Sequence, residues 1–221
     1  MLNQAAKILL AKKAMSYCQK NLKIGLGAGS TVMCVVDALA EQLPRSVQIF
    51  TAALTTQQRC IQLGIPAALM TETANIDVYI DGADEVTPTF ECIKGRGGAM
   101  TGEALCAEMA HQFIVLVDES KISQYLGQKW PVIAIEVVSW ARSCLGRAIV
   151  KMGGRPVLRE QKSELGNYII DCYDLDLTKP DTLAKTLSQM TGVVGHGLFV
   201  QRKPDLVYVS NGVDVWSLGS V

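Results

Sequence analysis

Only two histidines, His111 and His196, occur in the 221 residues. Neither stands near the other polar motifs in sequence, so a histidine-based triad is a poor fit. No C-x-x-C pair exists among the seven cysteines, Cys18, Cys34, Cys60, Cys92, Cys106, Cys144 and Cys172, which are scattered through apolar stretches. Their odd number and spacing argue against a zinc site or a disulfide framework and for buried free thiols in a reducing compartment. Neither sign of charge is in excess, because Lys+Arg and Asp+Glu both total 21. Without a basic stripe, no nucleic-acid partner held through phosphates is expected. The longest aliphatic, Met or Cys run is Val32–Val36, far short of a membrane span, so no membrane association is expected. The N-terminal stretch carries lysines but neither a long apolar core nor an A-x-A-like site. It reads as a first helix, with Lys7, Lys12 and Lys13 on a solvated face. No internal repeat or low-complexity segment is present. A cytoplasmic protein is expected.

What is present is enough to build a sizeable core, with 49% apolar and 19% charged residues, as one large domain or one domain with a smaller partner. Leu22–Gly27 reads as a short strand running into Gly25-Leu26-Gly27-Ala28-Gly29-Ser30-Thr31. Val32, Val35, Val36, Leu39 and Leu43 then recur at helical spacing, so a helix starts near Ser30. Val47–Ala53 is a second strand, Thr55 or Thr56 caps a helix ending at Gly64, and Ala67–Met70 is a short edge strand. Ile76–Ile80 is a buried strand. A helix over about 103–110 leads into a buried strand, Phe113–Val117, with Asp118-Glu119-Ser120-Lys121 at its carboxyl end. Another helix ends near Leu126. Repeated βα order predicts a parallel sheet with helices on both faces.

The pattern changes after Gly127. Pro131–Val137 reads as a strand and Ser139–Met152 as a helix, followed by the turn Gly153-Gly154-Arg155-Pro156. Val157–Glu160 and Tyr168–Cys172 form a hairpin around Gly166-Asn167. Pro180–Met190 is a helix with proline near its start, and Val193–Val200 a strand. This β-α-β-β-α-β order fits a ferredoxin-like domain. Leu206–Ser210 and Val213–Leu218 flank Asn211-Gly212, a hairpin signal, and that hairpin is expected to return to the first sheet. The fold class is therefore α/β, a Rossmann-like parallel-sheet domain (1–128 plus 202–221) with a smaller ferredoxin-like α+β domain (129–201) inserted before the C-terminal hairpin.

The stretch Ile76–Leu105 gathers the chemistry. Its strand runs into Asp81-Gly82-Ala83-Asp84-Glu85, and Lys94 follows with four glycines within Gly95–Gly102, then Glu103. Ligands of open α/β sheets bind at the carboxyl ends of strands. The Gly25–Thr31 turn is not a dinucleotide fingerprint, since Ser30 stands at the third glycine position. It is not a Walker loop, which needs lysine, nor a nucleophile elbow, because Ala28 and Val32 flank Ser30 where glycines belong. What remains is a compact phosphate cradle with two hydroxyls, or a plain βα turn capped by Ser30. Asp81 and Asp84 suit a cap and a turn, a Mg²⁺ ion, or sugar hydroxyls. Lys94 suits a surface ion pair or an oxyanion, and Glu103 a helix first turn or a general base. Taken together, a base, a cation and two acids near a phosphate cradle suit proton abstraction next to a carbonyl.

On these motifs the sequence resembles the ribose-5-phosphate isomerase type A family over essentially its whole length. The carriers are Gly27-Ala28-Gly29-Ser30-Thr31, Asp81-Gly82-Ala83-Asp84-Glu85 and Lys94-Gly95-Arg96-Gly97-Gly98 with Glu103. Asp118-Glu119-Ser120-Lys121 and Gly153-Gly154-Arg155-Pro156 add support. The resemblance implies an aldose–ketose isomerase of the non-oxidative pentose phosphate pathway, interconverting D-ribose 5-phosphate and D-ribulose 5-phosphate through a cis-enediolate. It implies Glu103 as proton acceptor, and Asp81, Asp84 and Lys94 as holders of the sugar hydroxyls and the enediolate. Lys121 is a further substrate contact, Ala28, Gly29, Ser30 and Thr31 are the substrate loop, and Lys7 is a lysine near the phosphate. Gly82, Ala83, Gly95, Arg96 and Gly97 complete the implied binding set. No metal, no cofactor and a homodimer or homotetramer are implied.

Some positions depart from the family pattern. Ala28 stands where threonine is common, Ala52 and Ala53 where serines are common, and Arg96 where glycine is common. Two other readings compete. A sugar-phosphate sensor would lack the base or add a DNA-binding segment. A dinucleotide oxidoreductase would carry an acid at the end of the second strand, where Thr51-Ala52-Ala53 sit.

Overall fold

The computed structural model describes residues 2–42, 46–73 and 75–219. Leu43 of the first helical pattern lies outside them. In chain order the elements are α1 (Leu2–Ala14), β1 (Lys23–Leu26), α2 (Ser30–Gln42), β2 (Gln48–Thr51), α3 (Leu54–Gln62), β3 (Ala67–Leu69), β4 (Ile76–Asp81), β5 (Glu85–Val86), β6 (Cys92–Ile93) and α4 (Met100–Met109). They continue with β7 (Ala110–Asp118), β8 (Val132–Val137), α5 (Arg142–Lys151), β9 (Arg155–Leu158), β10 (Tyr168–Tyr173), α6 (Pro180–Gln189), β11 (Val193–His196), β12 (Leu198–Phe199), β13 (Leu206–Ser210) and β14 (Val215–Ser217). The chain divides into two compact units, Met1–Ala83 with Leu105–Ile122 and Pro204–Val221, and Asp84–Ala104 with Ser123–Lys203. The second unit is thus larger than the expected 129–201. It takes in 84–104 and 123–128 because β6 pairs with β12 and β5 with β6, and because Glu85 accepts bonds from Ser123 Oγ and the Gly127 and Lys129 N–H groups.

The first unit is built on a seven-stranded sheet, order β14-β13-β7-β4-β1-β2-β3. All neighbours are parallel except the β13–β14 hairpin at one edge. Side chains alternate between strand faces. Accordingly Ile24, Leu26, Val78, Ile80, Ile114 and Leu116 share one core with Leu10, Val32, Val36, Leu39 and Cys60 of α1, α2 and α3. On the other face Tyr79 stacks on Phe113 with ring centroids 5.1 Å apart. The cap expected from Thr55 or Thr56 is absent. The residue before α3 is Ala53, in extended conformation and with no side-chain cap, and Thr56 instead donates to the Gly27 carbonyl at 2.7 Å. The helix expected to end near Leu126 reduces to the 3-10 turn Glu119–Lys121, because Asp118 accepts the Ser120 N–H and hydroxyl and stops the chain in a tight turn.

The second unit holds an antiparallel sheet, order β11-β8-β10-β9, and a three-stranded sheet, order β12-β6-β5. Ile133, Ile135 and Val137 of β8 face a core that includes Leu145 and Ile149 of α5 and Leu183 and Leu187 of α6. The continuous strand expected over Val193–Val200 is broken at Gly197, and its halves join different sheets. A Cβ on Gly197 would lie 2.1 Å from the Lys94 carbonyl oxygen, so only glycine allows this approach. Among the described residues no helix is long and apolar enough to cross a membrane. All seven cysteines are free, but Cys34 is half-buried and Cys144 exposed rather than buried. Burial pushes the Cys18 and Cys172 thiols up to about 12 and Cys60 to about 11, which leaves them protonated packing groups.

Candidate active site

The strand order of the first unit reverses between β1 and β4, which pair directly through Ile24–Val78 and Leu26–Ile80. Crevices outside the carboxyl ends of strands at such a reversal are where open α/β sheets bind ligands. The chain places Gly27 and Asp81 there. Asp81 is fully buried. Its Oδ1 accepts the Ala28 N–H at 3.3 Å and the Gly82 N–H at 2.7 Å, and its Oδ2 accepts the Tyr79 hydroxyl at 2.5 Å. Tyr79 reaches it because residues two apart share a strand face. A Cβ on Gly27 would stand 2.0 Å from the Asp81 carboxyl carbon, so the carboxylate packs straight onto the glycine backbone.

This clamp and the Thr56 bond fix the turn that opens α2. Ser30 is the first helical residue rather than the residue before the helix. Gly29 precedes it with φ +91°, a conformation glycine adopts without cost, and its carbonyl takes the Met33 N–H. The N–H groups of Ser30, Thr31 and Val32 therefore occupy the first turn, where a helix offers donors and positive dipole to an anion. An added Cβ on Gly82 would lie 3.9 Å from Thr31 Cβ and 4.0 Å from its Oγ1, so the two motifs run side by side. Ser30 and Gly29 are exposed, and Ala28, Thr31, Gly82 and Ala83 are half-buried.

In the second unit, Lys94 Nζ lies 3.2 Å from Glu103 Oε2, with side-chain exposures of 4% and 7%. A lone charge so buried would cost several kcal/mol, an expense that the opposite charge offsets. The Lys94 ammonium also stands 5.5 Å from the centre of the Phe199 ring, in cation–π reach. Helix α4 begins at Met100, three residues earlier than expected, yet Glu103 remains in its first turn, with its N–H on the Ala99 carbonyl.

The other expected residues spread over both units. Asp84 accepts the Arg96 N–H at 3.1 Å. Arg96 is exposed, with its guanidinium 5.0 Å from the Trp130 ring centre. Arg159, paired with Asp171, donates to the Gly95 and Arg96 carbonyls and pins the glycine loop. Gly95, buried at φ +105°, and exposed Gly97 flank Arg96. Lys7 on α1 and Lys121 after β7 are half-buried in the first unit. His111 is exposed, and His196 bonds to Ser188 and the Leu198 N–H. A cleft in the second unit lined by Tyr125, Leu126, Pro131, Leu175 and Leu177 contains none of the expected residues. Sequence reasoning missed Tyr79, Thr56, Phe199 and Arg159. Only Tyr79 left a signal, its position two residues before Asp81 on one strand. Among the described residues no cluster of three or more His, Cys, Asp or Glu could hold a metal ion.

The first unit thus offers a helix-start turn to an anion at the carboxyl end of its parallel sheet, and the second a buried carboxylate beside an ammonium, equipment of the kind α/β enzymes use. The sequence profile described as Ribose 5-phosphate isomerase A (phosphoriboisomerase A) matches residues 48–213, and the chain belongs to that family. It is similar to the ribose-5-phosphate isomerase A of Haemophilus ducreyi, 37% identical over 210 residues, covering 95% of each chain. The crystal structure of ribose 5 phosphate isomerase A from Neisseria gonorrhoeae superposes with a TM-score of 0.92 at 30% identity, over 99% of this chain and 97% of that one. A D-ribose-5-phosphate isomerase in complex with phospho-erythronic acid gives 0.92 at 31% identity, over 99% of both.

Proposed function

We propose that the chain interconverts D-ribose 5-phosphate and D-ribulose 5-phosphate, with Glu103 as the base. The observation that carries this reading is the buried Lys94–Glu103 pair in a chain of this family. The C2 proton of an aldose is weakly acidic, so a positioned base must remove it and later return it to C1. Glu103 takes the C2 proton and delivers it to C1, while the hydroxyl proton moves from O2 to O1, so the isomerisation balances. The cis-enediolate between these steps is anionic, and the Lys94 ammonium stabilises it where the charge develops. Asp81 and Asp84 hold sugar hydroxyls. The N–H groups and hydroxyls of Ser30 and Thr31 take the phosphate, with Ala28, Gly29, Gly82, Ala83, Gly95, Arg96, Gly97, Lys7 and Lys121 completing the binding set. No metal or cofactor takes part. The phospho-erythronic acid bound by a family structure is a phosphorylated sugar acid, a ligand of the expected kind.

The order β11-β8-β10-β9 with its two helices supports reading 129–201 as a ferredoxin-like domain inserted in a Rossmann-like one. A cytoplasmic homodimer or homotetramer is carried over from the family resemblance, and light scattering on the purified chain tests the assembly. The deciding experiment on function is conversion of ribose 5-phosphate to ketose by wild type and Glu103→Gln. General-base loss typically costs roughly 10²–10⁴-fold, so kcat is expected to fall by about that factor with KM little changed. A folded variant keeping more than about a tenth of wild-type kcat makes Glu103 structural, given that range.

A further inference from the structure

We propose that Glu136 is a positioning residue, acting through Thr101 to set the Glu103 carboxylate against the Lys94 ammonium. The proposal rests on the reading of Glu103 as the base. Glu136 lies on β8 and is 1% exposed. Neighbouring β8 residues Ile133, Ile135 and Val137 fill a core on one face of the strand, whereas Ala134 and Glu136 face the other way. The first two residues of α4 dock there. Met100 clusters with Ala134 and Ile169, and Thr101 donates its hydroxyl to Glu136 Oε2 at 2.5 Å. Two residues on, in the same helical turn, stands Glu103.

The remaining donors to Glu136 come from the 163–167 loop: Ser163 Oγ at 2.6 Å and Asn167 Nδ2 at 2.9 Å, both to Oε1. That loop also holds the chain just before α4, since the Glu164 N–H donates to the Gly98 carbonyl. Thr101 is confined further by Gly195 of β11, the register partner of Glu136, where a Cβ would fall 2.4 Å from its Oγ1. The same strand also sets Lys94. Its N–H donates to Gly197 O at 2.8 Å, and the Gly197 N–H donates to Ala134 O at 2.9 Å. Cation and base thus hang from Ala134 and Glu136, two residues apart on one strand. Burying a carboxylate is costly and leucine or valine would pack there without that cost. What the carboxylate adds is a directed, charge-assisted bond that fixes where α4 begins.

The test compares Thr101→Val, which keeps shape and removes the donor, with Thr101→Ser, which restores it, and with Glu136→Gln. Each is assayed for kcat and KM with ribose 5-phosphate at a temperature well below its own measured Tm, and Glu103→Gln is run as control. Misplacement of a reacting group by 1 Å can cost about 10²-fold, so Thr101→Val is expected to lose roughly ten- to a hundredfold in kcat at nearly constant KM. Thr101→Ser is expected to recover most of it. Glu136→Gln, where it folds, is expected to follow Thr101→Val. Wild-type kcat in folded Thr101→Val, a loss confined to KM, or Thr101→Ser as slow as Thr101→Val overturns the proposal. Full activity in Glu103→Gln overturns the base assignment instead, so the two failures are distinguishable.

Discussion

The two units hold their candidate functional groups by different means. In the first, regular backbone does most of the work: β1 and β4 pair in parallel and their ends deliver Gly27 and Asp81 to the same place. In the second, long-range contacts do it: Lys94 and Glu103 face each other from a glycine loop and a helix start, Lys94 with its N–H on the distant Gly197 carbonyl, and Thr101, two residues before Glu103, with its hydroxyl on the distant Glu136. A strand-end turn survives many side-chain changes as long as glycine remains where backbone and carboxylate touch. A buried ion pair depends on both partners, because removing one strands the other in a medium that penalises charge.

The strongest way to break the contrast is Lys94→Met. On the proposed mechanism it removes the charge that answers the enediolate, and loss of one stabilising donor costs about 10²–10³ in kcat. It also leaves Glu103 buried alone, a destabilisation of roughly 3–5 kcal/mol. Steady-state kinetics and urea melts read both, and a variant as stable as wild type would mean the pair is not what holds this turn. Next in size is Gly27→Ala in the first unit. Its Cβ meets the Asp81 carboxylate at 2.0–2.2 Å, and forced overpacking costs about 1–3 kcal/mol. A lower urea midpoint and a higher KM are expected, and an unchanged midpoint would deny the close packing of Asp81 on the turn.

A finer division between the units comes from Thr31→Ala. With Thr31 on the phosphate as proposed, the contact is alike in ground and transition states, so KM is expected to rise, by roughly the tenfold that about 1.4 kcal/mol of lost hydrogen bonding gives, while kcat stays near wild type. Inorganic phosphate should weaken as a competitive inhibitor in parallel. A collapsed kcat at constant KM would move Thr31 from binding to chemistry. The smallest expected effect lies away from both motifs. Burial lowers the His196 pKa below its ordinary 6.5. The unfolded chain therefore binds the proton more readily, so stability from this group is present above about pH 6.5 and is lost as pH falls below it. Urea midpoints at pH 7.5 and 5.5 should differ less in His196→Gln than in wild type, and an equal difference would assign the acid sensitivity elsewhere.

Much of this was legible in the chain itself, for reasons that differ by residue. Strand ends, glycine turns and apolar periodicity are local, so β1, β4 and the helix opening at Ser30 could be read from spacing, as could the returning hairpin around Asn211-Gly212. The break at Gly197 could not, because nothing in Val193–Val200 announces that the Lys94 carbonyl will press against that glycine. Nor could the failure of Thr55 and Thr56 to cap α3, since the Thr56 hydroxyl is drawn to the Gly27 carbonyl, 29 residues away.

The sequence by itself determined the candidates for the chemistry: an acid in a helix first turn, a lysine before a run of glycines, and paired aspartates after a strand. These follow from residue type and short-range geometry. Only the tertiary structure decided that Lys94 and Glu103 are buried 3.2 Å apart, that Asp81 is held by Tyr79 and the turn it supports, and that Glu136 reaches Thr101 across 35 residues of chain. Such contacts join positions whose spacing carries no period. Their existence depends on where whole strands dock, a property of the packed core and not of any local window of sequence.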